Sequence, residues 1–261
     1  MHDTSFENLE LFVESYFPDN DGLKLIDIGS RLRTPEKKFK WRGLLKNFTY
    51  IGVDLVEGDN VDLVLDDPYV YPFEDNSVDV IIANSIFEHS EFFWELFLEL
   101  LRILKPTGIL YINAPSNGDF HRGSFEQDLL VDVYRFYPDS GKALEKWGIK
   151  NNFLNLGLLE SYTFKKRSKM WNDYVAIYIK DKNYVENYPN RIINNTNHFY
   201  NGYYFGEKGI RNYKVLTEDH ETILSKEYLK RLGKYMVTTM KSIYKFMKSI
   251  YKFVRGTKET G

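Results

Sequence analysis

Short apolar runs that stop on small or acidic residues constrain this chain more than any other feature. Leu23 to Ile28 stops at Gly29, Tyr50 to Val53 at Asp54, Val61 to Leu65 at Asp66-Asp67, and Val78 to Ala83 at Asn84-Ser85. A fifth run covers Ile109 to Ile112. Runs this short, bounded by turn formers, suit buried strands rather than helices. Between the fourth and fifth runs, Phe93, Leu96, Phe97, Leu100, Leu101 and Leu104 recur at helical spacing, so 91–104 reads as a helix stopped by Pro106 and Gly108. Residues 5–17, ending at Pro18, read as an amphipathic helix, and 142–147 as another. Strands alternating with helices predict a mostly parallel α/β sheet with helices on both faces. Two period-2 segments, 160–164 and 174–179, suit a hairpin closing the sheet edge. The stretch 183–213, rich in Asn and Tyr, reads as loops, and a long helix is expected from Glu227 onward. The expected division is a domain over 1–182 and a loop-rich, helical extension over 183–261.

Composition narrows the function classes. The formal net charge of −2 argues against a general nucleic-acid binder. The absence of cysteine removes disulfides, thiolate metal sites and cysteine nucleophiles together. No basic-then-apolar leader and no apolar run long enough to span a bilayer is visible, so the expectation is a soluble, cytoplasmic protein.

In open α/β sheets ligands bind beyond the carboxyl ends of the strands, so the residues following each run are the candidates. Gly29 and Ser30 follow the first, and a glycine there lets backbone approach a ligand closely. Asp54 follows the second and is placed to accept from ribose hydroxyls, at about the Gly-to-acid spacing of a nucleotide-binding unit. Asp66 and Asp67 follow the third, where a carboxylate can accept from an adenine amino group or merely form an Asx-turn before Pro68. Asn84, Ser85, Glu88 and His89 follow the fourth.

These residues, with Leu25-Ile26-Asp27-Ile28-Gly29-Ser30, Tyr71 to Val80, Phe87-Glu88-His89 and Glu99 to Gly108, resemble the class I S-adenosylmethionine-dependent methyltransferases in order and spacing over 23–115. The resemblance implies a Rossmann-like, doubly wound, mostly parallel seven-stranded sheet with an antiparallel edge strand. It implies S-adenosylmethionine as cofactor, with Asp27, Gly29, Ser30, Asp54, Asp66, Asp67, Asn84 and Ser85 around it. The family's glycine-rich first loop keeps Gly29 here, with Arg31 and Arg33 at the other glycine places. That departure disfavours a phosphate-bearing dinucleotide, and with it hydride transfer.

A second segment, Ala114 to Arg122 and then Asp132 to Gly141, resembles methyltransferases of bacterial surface-polysaccharide (capsule and O-antigen) biosynthesis, with Tyr134 where those have Trp. It implies O-methylation of a sugar, phosphoryl-type or other polar group on a glycan or its nucleotide-activated precursor. A hydroxyl acceptor must lose a proton during attack, which makes His121 the first candidate base and His89 the second. Arg122 and Arg135 are candidates for an anionic substrate group, and Asp132 for orienting a histidine or a sugar hydroxyl. No metal site is implied. The competing class is a non-catalytic binding module in a glycan-assembly complex.

The C-terminal segment stands apart in charge. Tyr228 to Lys258 carries nine Lys or Arg and no acid, leaving 26 bases against 37 acids elsewhere. Within it Lys-Ser-Ile-Tyr-Lys-Phe-Met (241–247) is followed by Lys-Ser-Ile-Tyr-Lys-Phe-Val (248–254). Ile243, Phe246, Met247, Ile250, Phe253 and Val254 share one helix face, and Lys241, Lys245, Lys248 and Lys252 the other. Three placements suit such a helix: on its own domain, against a second subunit, or on an anionic membrane surface.

Overall fold

The computed structural model describes residues 3–19, 22–32, 41–118, 131–168, 171–216 and 226–256, and the side chains of all of them except 167–168, 226–229, 231 and 249–256. The chain divides into two compact units, 1–215 and 216–261.

The first unit is built on one eight-stranded sheet. Its strands are β1 (Lys24–Ile28), β2 (Thr49–Asp54), β3 (Leu63–Val64), β4 (Val78–Asn84), β5 (Leu104–Pro115), β6 (Gly157–Ser168), β7 (Trp171–Ile179) and β8 (Phe199–Tyr204). Their order is β3-β2-β1-β4-β5-β7-β6-β8. The pairings from β3 to β5 are parallel, and those of β5 with β7, β7 with β6, and β6 with β8 are antiparallel. This is the Rossmann-like arrangement expected, with one strand more than seven. The extra strand, β8, comes from the stretch read as loops. Phe199 and Tyr203 are buried there, but Asn201 and Gly202 interrupt the alternation that marks a strand. The third run forms only a two-residue strand.

Strand alternation supplies both faces with apolar side chains. Ile26, Ile28, Ile81, Ala83, Leu110 and Ile112 face one layer, where α2 (Phe93–Ile103) and α3 (Pro138–Lys150) bring Phe97, Leu100, Leu101 and Leu144. Leu25, Val80, Ile82, Ile109, Tyr111, Val175 and Ile177 face the other, against Phe6, Leu9, Phe12 and Tyr16 of α1 (Asp3–Tyr16) and against Trp41 and Leu45.

Helix α2 passes directly into β5 at Leu104, and Pro106 and Gly108 lie inside the strand rather than in a loop before it. Proline cannot continue a helix, which ends α2, while the orphan carbonyls of the last turn find donors elsewhere. Lys180 Nζ donates to the carbonyls of Leu104 (2.6 Å) and Arg102 (3.1 Å), and Ser77 N donates to that of Ile103. Arg102 also donates to the carbonyls of Tyr71 and Phe73 and to Glu99 and Asp75. The segment leading into β4 is thus fixed by the helix that follows it.

A buried carboxylate ties the antiparallel edge to α1. Glu160 on β6 accepts from Tyr16 Oη (2.7 Å), Ile192 N (2.9 Å) and Ile193 N (3.0 Å) at the start of the short helix α4 (Ile192–Asn195). Burial raises its pKa despite these donors.

The described residues of the second unit include the helix α5 (Lys226–Gly256).

Candidate functional site

The carboxyl ends of β1, β2, β4 and β5 lie side by side because the four strands are parallel neighbours. The chain leaves β1 through Gly29 in the left-handed region (φ 69°), and Gly29 N and Ser30 N both donate to the Val53 carbonyl. A Cβ at Gly29 would lie 1.8 Å from the Ile86 side chain, so here glycine makes room for the loop after β4. Ser30 is buried and exchanges hydrogen bonds with Asn60: its Oγ donates to the Asn60 carbonyl, and Asn60 Nδ2 donates to the Ser30 carbonyl. Asp54 accepts from Arg31 N on Oδ2 (3.0 Å) and from Val56 N on Oδ1 (3.1 Å). Two backbone donors hold this carboxylate at the β2 tip, and each oxygen keeps a further lone pair.

Asp27 points to the α1 face, where it is buried and accepts from Tyr50 Oη (2.6 Å) and Trp41 Nε1 (2.7 Å) on one oxygen. Burial lifts its pKa to about 7, against the lowering effect of those two donors. Trp41 and Tyr50 are the partners that sequence reasoning missed. The available signal was that an Asp inside an apolar run must be paired when buried. Asp66 and Asp67 are exposed, and Asp67 Oδ1 accepts from Tyr69 N (2.7 Å), an Asx-type turn.

Asn84, at the end of β4, is 7% exposed, and among the described residues neither atom of its amide has a hydrogen-bond partner. Its register neighbour Asn113 on β5 also leaves its amide oxygen unpartnered. Buried amides are nearly always satisfied, so an orphan amide at a strand tip is a candidate contact for a polar ligand. Ser85, next in the chain, is held in the left-handed region (φ 60°), a conformation associated with functional sites when a non-glycine adopts it.

A second cluster joins the loop after β4 to residues 131–135. Val133 N and Tyr134 N both donate to the Glu88 carbonyl. This places His89 Nδ1 3.4 Å from Asp132 Oδ1 and 3.2 Å from the Val131 carbonyl. Asp132 Oδ2 accepts from Arg135 Nη2 (2.6 Å). Glu88 is buried, one oxygen lies 3.7 Å from His89 Nε2 and the other has no hydrogen-bond partner among the described residues. Burial raises Glu88 to about 8, with Asp132 adding to the shift and Arg135 opposing it. Asp132 and Arg135, both candidates for substrate contact, are therefore brought together with His89. His121, Arg122 and Arg33 lie outside the described residues. Among the described residues no group of three His, Asp or Glu side chains is placed to hold a metal ion.

Residues 43–112 match the family model described as a methyltransferase domain. Over these 70 of its 261 residues the chain is similar to a methyltransferase domain of the S-adenosylmethionine-dependent class. S-adenosylmethionine is the cofactor of this domain class. Among solved structures, the Burkholderia thailandensis 1,6-didemethyltoxoflavin-N1-methyltransferase, with bound 1,6-didemethyltoxoflavin and S-adenosylhomocysteine, is similar with a TM-score of 0.51 and 12% identity over 69% of this chain and 80% of that one. A protein of Pyrococcus horikoshii OT3 gives a TM-score of 0.46 and 16% identity over 67% of this chain and 89% of that one. Phosphoethanolamine N-methyltransferase 2 of Haemonchus contortus gives 0.46 and 15% over 67% and 53%. No curated protein matches the chain. At these identities the Burkholderia structure speaks for the fold of the methyltransferase domain, and acceptor chemistry has to be argued from this chain's own residues.

Proposed function

We propose that this protein transfers a methyl group from S-adenosylmethionine to a hydroxyl or similar polar oxygen of a bacterial surface glycan or its nucleotide-activated precursor. The observation that carries the donor site is the buried, unpartnered Asn84 amide beside the β1 tip, with the oriented Asp54 carboxylate at the neighbouring β2 tip. The residues fit the donor's chemistry. Asp54 offers lone pairs to a ribose diol, Asp67 with Asp66 offers carboxylate oxygen to an adenine amine, and the Asn84 amide offers a donor and an acceptor to an amino-acid end. Gly29, Ser30 and Ser85 shape the backbone around them, and Asp27 stands behind through Tyr50 and Trp41.

When bound, S-adenosylmethionine supplies an electrophilic methyl group on a sulfonium. The protein's share is to hold the acceptor in line, an effect worth about 7–11 kcal/mol, and to accept the hydroxyl proton. His89 is the described candidate for that proton, with Asp132 to orient its ring and stabilise the imidazolium formed. Arg135 holds Asp132 from the other side. From the sequence, His121 remains a candidate base and Arg122 a candidate for an anionic acceptor group.

The Ile86 side chain against Gly29 supports a second reading, a binding module whose donor site is partly filled by the protein itself. Isothermal titration with S-adenosylhomocysteine separates the two. Micromolar binding, followed by methyl transfer to a member of a nucleotide-sugar and glycan panel, is expected of the enzyme. No heat of binding with a folded protein would overturn the enzyme reading.

A further inference from the structure

Helix α5 is 31 residues long, about 46 Å at 1.5 Å per residue. At 100° per residue, Lys230, Lys234, Lys241, Lys245 and Lys248 fall within an arc of about 60°. Leu232, Tyr235, Met236, Met240, Ile243, Phe246 and Met247 fall within an opposing arc of about 140°. Every one of these apolar side chains is exposed, from 43% at Leu232 to 72% at Tyr235.

We infer that α5 is an interfacial membrane anchor that lies flat on a bilayer rich in anionic lipid. Its lysine row suits phosphate headgroups, and its Met, Ile and Phe side chains suit the acyl boundary, with Tyr235 and Tyr244 at the level where amphipathic rings settle. Charge complementarity favours this occupant over a second copy of the chain. The segment 228–258 has nine bases and no acid, so a second copy offers its lysine row no opposite charge, whereas an anionic bilayer does. The apolar arc is also broader than the narrow seam of a two-stranded coil. Spanning is excluded for α5, because no helix among the described residues is long and apolar enough to cross a membrane. The rest of the chain, with 26 bases against 37 acids, is repelled by the same surface. The helix would therefore be the part that binds, and it would fix which part of the chain meets the lipid.

Flotation of the full chain with phosphatidylcholine vesicles, with and without phosphatidylglycerol, tests this. We expect at least about tenfold tighter partitioning onto the anionic vesicles, weakening as salt is raised. The variant K241E/K245E/K248E should lose the preference for phosphatidylglycerol. The variant I243S/M247S should lose retention at high salt, where the apolar face alone holds. Thermal unfolding and S-adenosylhomocysteine affinity should not change in either variant, since both lie outside the methyltransferase domain. Equal partitioning onto both vesicle types, or unaltered flotation of the lysine variant, would overturn the inference. So would a dimer in sedimentation that I243S/M247S disperses while the parent chain fails to float.

Discussion

His89 Nδ1 and Asp132 Oδ1 lie 3.4 Å apart although 43 positions separate them, and the contact exists because the backbone of 133–134 is bonded to the Glu88 carbonyl. A carboxylate against one ring nitrogen sets the tautomer and leaves the other nitrogen to exchange protons. His89→Gln and Asp132→Asn should each lower kcat about 10²–10⁴-fold. Affinity for S-adenosylhomocysteine should stay unchanged, and the double variant should be little worse than the worse single one. The acidic limb of the rate profile should vanish in His89→Gln. A wild-type profile in that variant would return the base to His121.

Asp54 makes a separable prediction. Its carboxylate is aimed by two backbone donors, so Asp54→Ala should leave the sheet intact and remove the ribose acceptor. A lost hydrogen bond to a charged group is worth about 1.5–3 kcal/mol, roughly ten- to a hundredfold in Kd. Titration calorimetry with S-adenosylhomocysteine reads this directly, and unchanged affinity would refute the ribose role.

Gly29 and Ile86 should be energetically coupled. Gly29→Ala places a methyl group where the Ile86 side chain already sits, on a backbone with φ of 69°. Overpacking of this kind costs about 1–3 kcal/mol, with further strain from the left-handed backbone. Adding Ile86→Ala should recover part of the loss in urea unfolding, giving a favourable coupling in the double-mutant cycle. Strict additivity would mean that the loop after β4 moves aside freely.

The buried carboxylates set an unusual pH response. Burial raises Asp173 to about 6, Asp27 to about 7 and Glu88 to about 8. In the unfolded chain such groups release protons near pH 4. The folded protein thus retains protons that the unfolded chain has lost, so their contribution is complete below about pH 4 and is lost as pH rises through 6 to 8. Urea unfolding should show lower stability at pH 8.5 than at pH 5.5, by on the order of a few kcal/mol. Glu88→Gln should flatten the upper part of that slope.

Much of the parallel half of the sheet was legible in the sequence. Its apolar runs end on glycine, acidic or amide residues that break the apolar pattern, and this fixes both strand positions and the edge to inspect. Strand β8 was hidden because Asn201 and Gly202 break its pattern. Pro106 read as a terminator because proline stops helices, yet here a strand starts two residues earlier. In the site, Asp54, Asn84 and Ser85 could be picked out by position alone. The partners of Asp27, Trp41 and Tyr50, could not, since nothing local links a strand residue to an indole 14 positions away. The pairing of His89 with Asp132 depends on how two loops are stitched together, which periodicity does not encode.

The Glu160 carboxylate described above receives its donors from two stretches far apart in the chain, the phenol of α1 and the amides that open α4. Lifting either away would leave a desolvated anion short of a donor. The N-terminal helix and the 191–195 turn should therefore detach in one concerted event, and the wall they form over the sheet should behave in hydrogen exchange as a single protected block rather than as a hinged flap.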